Sequence, residues 1–127
     1  MKRKAFEAQR QRIQRLEEKW APPMGLRWWT ITHVCYAKRK RYAKETGCDI
    51  RTAAACAADW RYCSATISFN LPIWATLSDD KAEAYFVHEL VHIFLEELES
   101  PRADHDDHEE RVCTRLAKAF LWVRGEG

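Results

Sequence analysis

A chain of 127 residues with 46% hydrophobic residues, 31% charged residues and a net charge of +2 suits one soluble globular domain, large enough for a core but with little room for a second. No stretch approaches the roughly 18 to 20 apolar residues of a membrane span, and the charged N-terminus is not followed by an apolar signal core, so a cytoplasmic protein without membrane contact is expected. The five cysteines are odd in number and no two have C-x-x-C spacing, which argues against a disulfide framework or a zinc finger and leaves free thiols.

Residues 2–20 place Phe6, Ile13, Leu16 and Trp20 at helical spacing among good helix formers, which predicts a helix. Its other face, with Arg3, Lys4, Arg10, Arg12 and Arg15, reads as solvated. Ala21-Pro22-Pro23-Met24-Gly25 stops it, since neither proline can donate a helical hydrogen bond. Residues 26–36, LRWWTITHVCY, are rich in aromatic and β-branched side chains and predict a strand. Bulky residues on both of its faces favour an interior strand covered on both sides. His33 within it is expected to be structural.

The basic run Lys38-Arg39-Lys40-Arg41, followed by Tyr42 and Lys44, ends at a Gly47 turn. It reads as a solvated connection that also offers a grip on phosphates, so nucleic acid is a partner to consider. The alanine-rich stretch 51–60 leans towards a short strand or an irregular lead-in. In residues 62–71, Ala65, Ile67, Phe69 and Leu71 alternate with Ser64, Thr66, Ser68 and Asn70, a strand with one buried and one polar face, closed by Pro72. The polar side suits an edge strand whose open backbone can pair with an extended chain.

Ser78-Asp79-Asp80-Lys81 is a helix-capping signature, and the helix is expected to run to about Glu99, where Ser100-Pro101 ends it. Ala84, Val87, Val91, Phe94 and Leu98 form its apolar stripe, widened by Phe86, Leu90 and Ile93. In its middle stands His88-Glu89-Leu90-Val91-His92. Residues four apart lie one turn apart on one helical face, so the two imidazoles can share a metal ion. Glu89 projects beside them, suited to reach a water at the ion without ligating it. Three ionisable groups left unpaired in a core helix would be costly, and a metal is the simplest compensation.

A third ligand must come from downstream, where His105, His108, Glu109 and Glu110 open a last helix expected from Asp107 to Arg124. Glu110 is favoured because it shares a flank with Cys113, Ala117 and Leu121. Glu109, on the side of Val112, Leu116 and Phe120, is next.

These residues carry a resemblance. The H-E-x-x-H helix followed by a glutamate on a second helix resembles the gluzincin clan of zinc metallopeptidases. In its compact members, the minigluzincins and the ImmA/IrrE and SprT-like groups, that glutamate is followed by a small residue at +3, a polar one at +4 and alanine at +7. Glu110, Cys113, Thr114 and Ala117 match that arrangement. The resemblance spans about residues 62–121 and implies one Zn2+ held by His88, His92 and Glu110, Glu89 as general base, and Thr114 orienting a ligand. It also implies that the strand before the active-site helix runs along the cleft and pairs with substrate. The longer metzincin pattern is absent, because no glycine turn or third histidine follows His92. The residue that steadies the transition state is open among Tyr85, His105 and His108.

The fold expected from all this is an α+β, zincin-like single domain over 1–127. Residues 1–25 form an N-terminal helix and linker, 26–77 a short, mostly antiparallel sheet of about three strands, and 78–127 the metal-binding helices, the last donating the third ligand. Charge divides along the same line: residues 1–77 hold 15 Lys and Arg against 6 Asp and Glu, and residues 78–110 hold 2 against 12. An acidic rim would favour cationic substrates or keep counter-charges near a divalent ion, while the basic half could meet nucleic acid. The activity expected is zinc-dependent peptide hydrolysis. The alternative is a non-catalytic zinc protein, regulatory or nucleic-acid-binding.

Overall fold

The N-terminal periodicity becomes helix α1, Arg3–Trp20, with Ile13 and Trp20 buried. A computed structural model describes residues 1–96 and 105–126, with side chains in the second stretch at 110 and 113–125. After α1 come β1 (Thr30–Tyr36), α2 (Arg39–Thr46), β2 (Ala54–Asp59), β3 (Ser64–Asn70), α3 (Leu71–Trp74), α4 (Asp79–Phe94) and α5 (His105–Glu126). The molecule is thus an α+β domain built on a three-stranded mixed sheet.

The strand order is β1-β3-β2, with β1 parallel and β2 antiparallel to β3. This corrects the expectation of a mostly antiparallel sheet. It also exchanges two roles: β1 is an edge strand rather than an interior one, and β3 is central rather than an edge. Parallel neighbours require a crossover, and the chain supplies it by leaving β1 through α2 and β2 before entering β3. The basic connection therefore contains a helix, ended by Gly47 in the left-handed conformation at φ 73°, where glycine carries no Cβ penalty.

Register places Ile31, His33 and Cys35 beside Ala65, Ile67 and Phe69, and these beside Ala58, Cys56 and Ala54. That face of the sheet meets α1 and α4 in one core with Trp74, Phe86, Val87, Leu90 and Val91. Alanine is a poor strand former, but on β2 its small side chains let α4 lie close against the sheet. Phe69 stacks on Phe86 at 6.2 Å and meets Trp74 edge-on at 5.1 Å, arrangements favoured by the ring quadrupole. His33 stands between helix and sheet, its Nε2 2.7 Å from Glu17 Oε1 and its ring edge-on to Phe69. This is a structural role. None of the five cysteines is in a disulfide.

Ser78 caps α4 by accepting a hydrogen bond from the Lys81 amide. The helix ends at Phe94, earlier than expected, and the stretch from Glu97 to Pro101 lies outside the described residues, as does Leu98. Its core side is carried by Ala82, Phe86, Val87, Leu90, Val91 and Ile93, whereas Phe94 is half exposed and faces Phe120 at 6.3 Å. Helix α5 packs along α4. It starts at His105 and continues over Gly125 to Glu126, beyond both expected ends.

Of the five cations read as one solvated face of α1, Arg12 is not solvated. The Arg12 guanidinium donates to the carbonyls of Trp74 at 2.8 Å and Leu77 at 3.0 Å, tying α1 to the connection that launches α4. Replacing Arg12 by Ala leaves two carbonyls without their donor and is expected to cost about 2 kcal/mol, whereas Arg15→Ala, at an exposed position, should fall within about 0.5 kcal/mol of the parent. Equilibrium denaturation of the two variants measures the difference.

Candidate metal centre

His88 and His92 project from the same side of α4, their ring centroids 4.9 Å apart. Both rings are largely but not wholly covered, with about a fifth of each side chain exposed. From α5, the Glu110 carboxylate meets them: Oε2 lies 3.2 Å from His88 Nε2 and Oε1 lies 2.7 Å from His92 Nε2. The three donor atoms fall within 4.8 Å of one another. Two imidazole nitrogens and one carboxylate, all within reach of a common point, are a donor set that suits a first-row divalent ion and leaves a coordination position open.

Burial lowers the pKa of His88, with the neighbouring His92 acting in the same direction and Glu110 opposing. Burial and His92 thus favour the neutral imidazole, the form in which a histidine ligates metal. The far nitrogen of His92, Nδ1, lies 3.4 Å from the Sγ of the buried Cys113. Thr114, which the resemblance assigns to orienting a ligand, donates its hydroxyl to the Glu110 backbone carbonyl at 3.0 Å. Cys113 is a group beside His92 that the resemblance did not assign. Sequence carried that signal only as a small residue one turn beyond Glu110.

Glu89 is 8% exposed, and its carboxylate has no hydrogen-bond partner among the described residues. Burial, with Glu110 adding to it and His92 opposing, raises its pKa from 4.5 to about 7. A raised pKa means that the folded state holds this proton more tightly than the unfolded chain does. Below about pH 4.5 both states are protonated and the group is neutral for stability. As pH rises to about 7 the folded carboxyl ionises late and at a cost. In the presence of chelator, the parent should therefore lose up to about 3 kcal/mol relative to Glu89→Gln between pH 4 and pH 8, read from denaturation midpoints at the two pH values.

Glu89 and His88 open onto a cavity of about 560 Å3 between β2, α4 and α5. Tyr85 lines the same cavity, so of the three groups considered for steadying a transition state it is the one within the described side chains. His105 and His108 lie on α5 with side chains outside the description, as does that of Glu109. Compared with protein-family models, curated proteins and solved structures, the chain matches none.

The other sequence-level candidates are dispersed. Lys38 precedes α2, while Arg39, Lys40 and Arg41 form its exposed first turn, away from the cavity lining. No helix among the described residues is long and apolar enough to cross a membrane. Sequence reasoning also missed Asn70, which it placed on the polar side of the strand. Asn70 is fully buried and its Nδ2 donates to the carbonyls of Ile50 at 2.8 Å and Thr52 at 2.9 Å, fixing the segment that enters β2 and walls the cavity.

Proposed function

We propose that this chain is a zinc-dependent peptidase of the gluzincin type, with His88, His92 and Glu110 holding the ion and Glu89 acting as general base. The observation that carries the reading is the meeting of those three donors from two separate helices beside a buried, unpartnered carboxylate at the wall of a cavity. Glu89 is thereby distinguished from Glu110: the first lies in α4 facing the cavity, while the second reaches the imidazoles.

When bound, zinc would supply Lewis acidity, bringing the pKa of a water towards neutrality and polarising a carbonyl. The protein does the rest. Glu89 takes the proton of the attacking water and returns it to the leaving amine from its place in α4 at the cavity wall. The surroundings of His88 favour its neutral ring, which can donate a lone pair. Tyr85 offers a phenolic hydroxyl at the cavity wall to the developing oxyanion.

The substrate strand is reassigned. Both edges of β3 are already paired, so β3 cannot add a peptide strand. Among the described residues the outer edge of β2 is free, and Ala53 and Ala54 at its start line the cavity, so an extended peptide is held there by main-chain hydrogen bonds. The test is cleavage of an unfolded protein by the zinc-loaded parent and by Glu89→Gln. A metal site kept for structure alone, with recognition through Lys38 to Arg41, predicts cleavage by neither.

A further inference from the structure

The cavity wall carries charge of the sign opposite to that expected from the acidic second half of the chain. Its described charged residues other than His88 are Glu89, at the metal-binding end, and three cations: Arg51, Lys81 and Lys118. Arg51 is already engaged by Asp49, at 3.2 Å. Lys81 and Lys118 are exposed and form no ion pair among the described residues. Between them and the metal-binding side chains the wall is mixed, with Ala84 and Tyr85 on α4 and Thr114 and Ala117 on α5.

Position along the helices sets the scale. Lys81 precedes His88 by seven residues and Lys118 follows Glu110 by eight, so each lies roughly 10 to 12 Å along its helix axis from the metal-binding side chain. An extended peptide covers that length in about three residues. An anionic group carried on a short extended segment would place its charge between the two lysines while its backbone reaches Glu89.

We propose that the substrates of this site carry a carboxylate about three residues from the scissile bond, received by Lys81 and Lys118. This deepens the peptidase reading and rests on it. The carboxylate has two possible sources, an Asp or Glu side chain or the free C-terminus of the chain being cut. The chemistry recognised is the same, and the described cations of the cavity work against the cationic substrates that the acidic segment favours on composition alone.

The experiment measures binding and cleavage separately on the zinc-loaded full chain. Five fluorescent peptides with the same apolar core carry, three residues from the central bond on either side, Glu, Gln or Lys within a C-terminally amidated chain, or end there as a free carboxylate or an amide. Binding is read by anisotropy with the Glu89→Gln variant, and cleavage by the parent. The expected result is that the Glu peptide, the free-carboxylate peptide, or both bind about fivefold or more tightly than their neutral counterparts, that the Lys peptide binds weakest, and that K81Q/K118Q removes the preference. The arm that shows the preference identifies the source. Cleavage without any charge preference overturns the inference and leaves the peptidase reading standing. Carboxylate-selective binding without cleavage overturns the peptidase reading and the scissile bond with it, and leaves Lys81 and Lys118 as a carboxylate-binding pair only. Absence of both binding and cleavage overturns both.

Discussion

Glu89→Gln is expected to retain the metal and lose peptide hydrolysis, with kcat/KM falling at least about 100-fold and by as much as 10,000-fold. Glutamine keeps the shape of the side chain and its place in α4 but cannot accept a proton. The three donors that converge on a common point are His88, His92 and Glu110, so removing the Glu89 carboxyl takes away no ligand. The substitution also removes a buried carboxylate whose ionisation is resisted by its surroundings, so the variant should be at least as stable as the parent near neutral pH. A loss of cleavage therefore cannot be laid to unfolding. Parental rates of cleavage by Glu89→Gln would eliminate the proposed base.

Asn70→Asp should be the most destabilising single-atom change near the site, at about 3 kcal/mol or more. The amide nitrogen of Asn70 donates to two carbonyls, those of Ile50 and Thr52, and its backbone N–H donates to Ala53 at 2.9 Å. Aspartate has the same shape but presents acceptors to those carbonyls, and its charge is buried. Protonation supplies one donor, so the loss should be smaller at acid pH than at neutral pH. Because Thr52, Ala53 and Ala54 wall the cavity, the surviving folded fraction should bind peptide more weakly as well. Denaturation midpoints at pH 4 and pH 7 check the first part, and peptide anisotropy the second. An Asn70→Asp protein as stable as the parent at pH 7 would show that this amide does not hold the β2 entry.

The parts of the molecule that could be read from sequence are those fixed by local geometry. Helical periodicity alone puts His88 and His92 on one face, and Ser78 marks the start of their helix because its side chain can satisfy a free amide three residues on. Alternation in 62–71 likewise marks β3 and its buried face. The signal does not extend to neighbours: alternation tells which side chains point inward, not which strand lies beside which, so the central place of β3 and the parallel pairing with β1 were not legible. The helix α2 was hidden for a related reason. Lys, Arg, Ala and Glu are good helix formers, but with only Tyr42 buried the stretch has almost no apolar period to reveal it.

Polar residues were misread where a long-range partner removes them from water. Arg12 and Asn70 look like surface residues in sequence, and both are held by backbone carbonyls at least 18 positions away in the chain. At the site, Glu109 and Glu110 differ by one step of about 100° around a helix, and the packing of α5 on α4 decides that Glu110 meets the imidazoles. The cations of the cavity come from three segments, the β2 entry, α4 and α5, which no linear pattern joins.

The most direct measurement of the central claim is the metal content of the purified chain after equilibration with limiting zinc and removal of free ion. The account predicts about one zinc per chain in the parent and in Glu89→Gln, and almost none in His88→Ala, in line with a site of three protein ligands. A parent that holds no zinc, or a His88→Ala variant that holds as much as the parent, would contradict it.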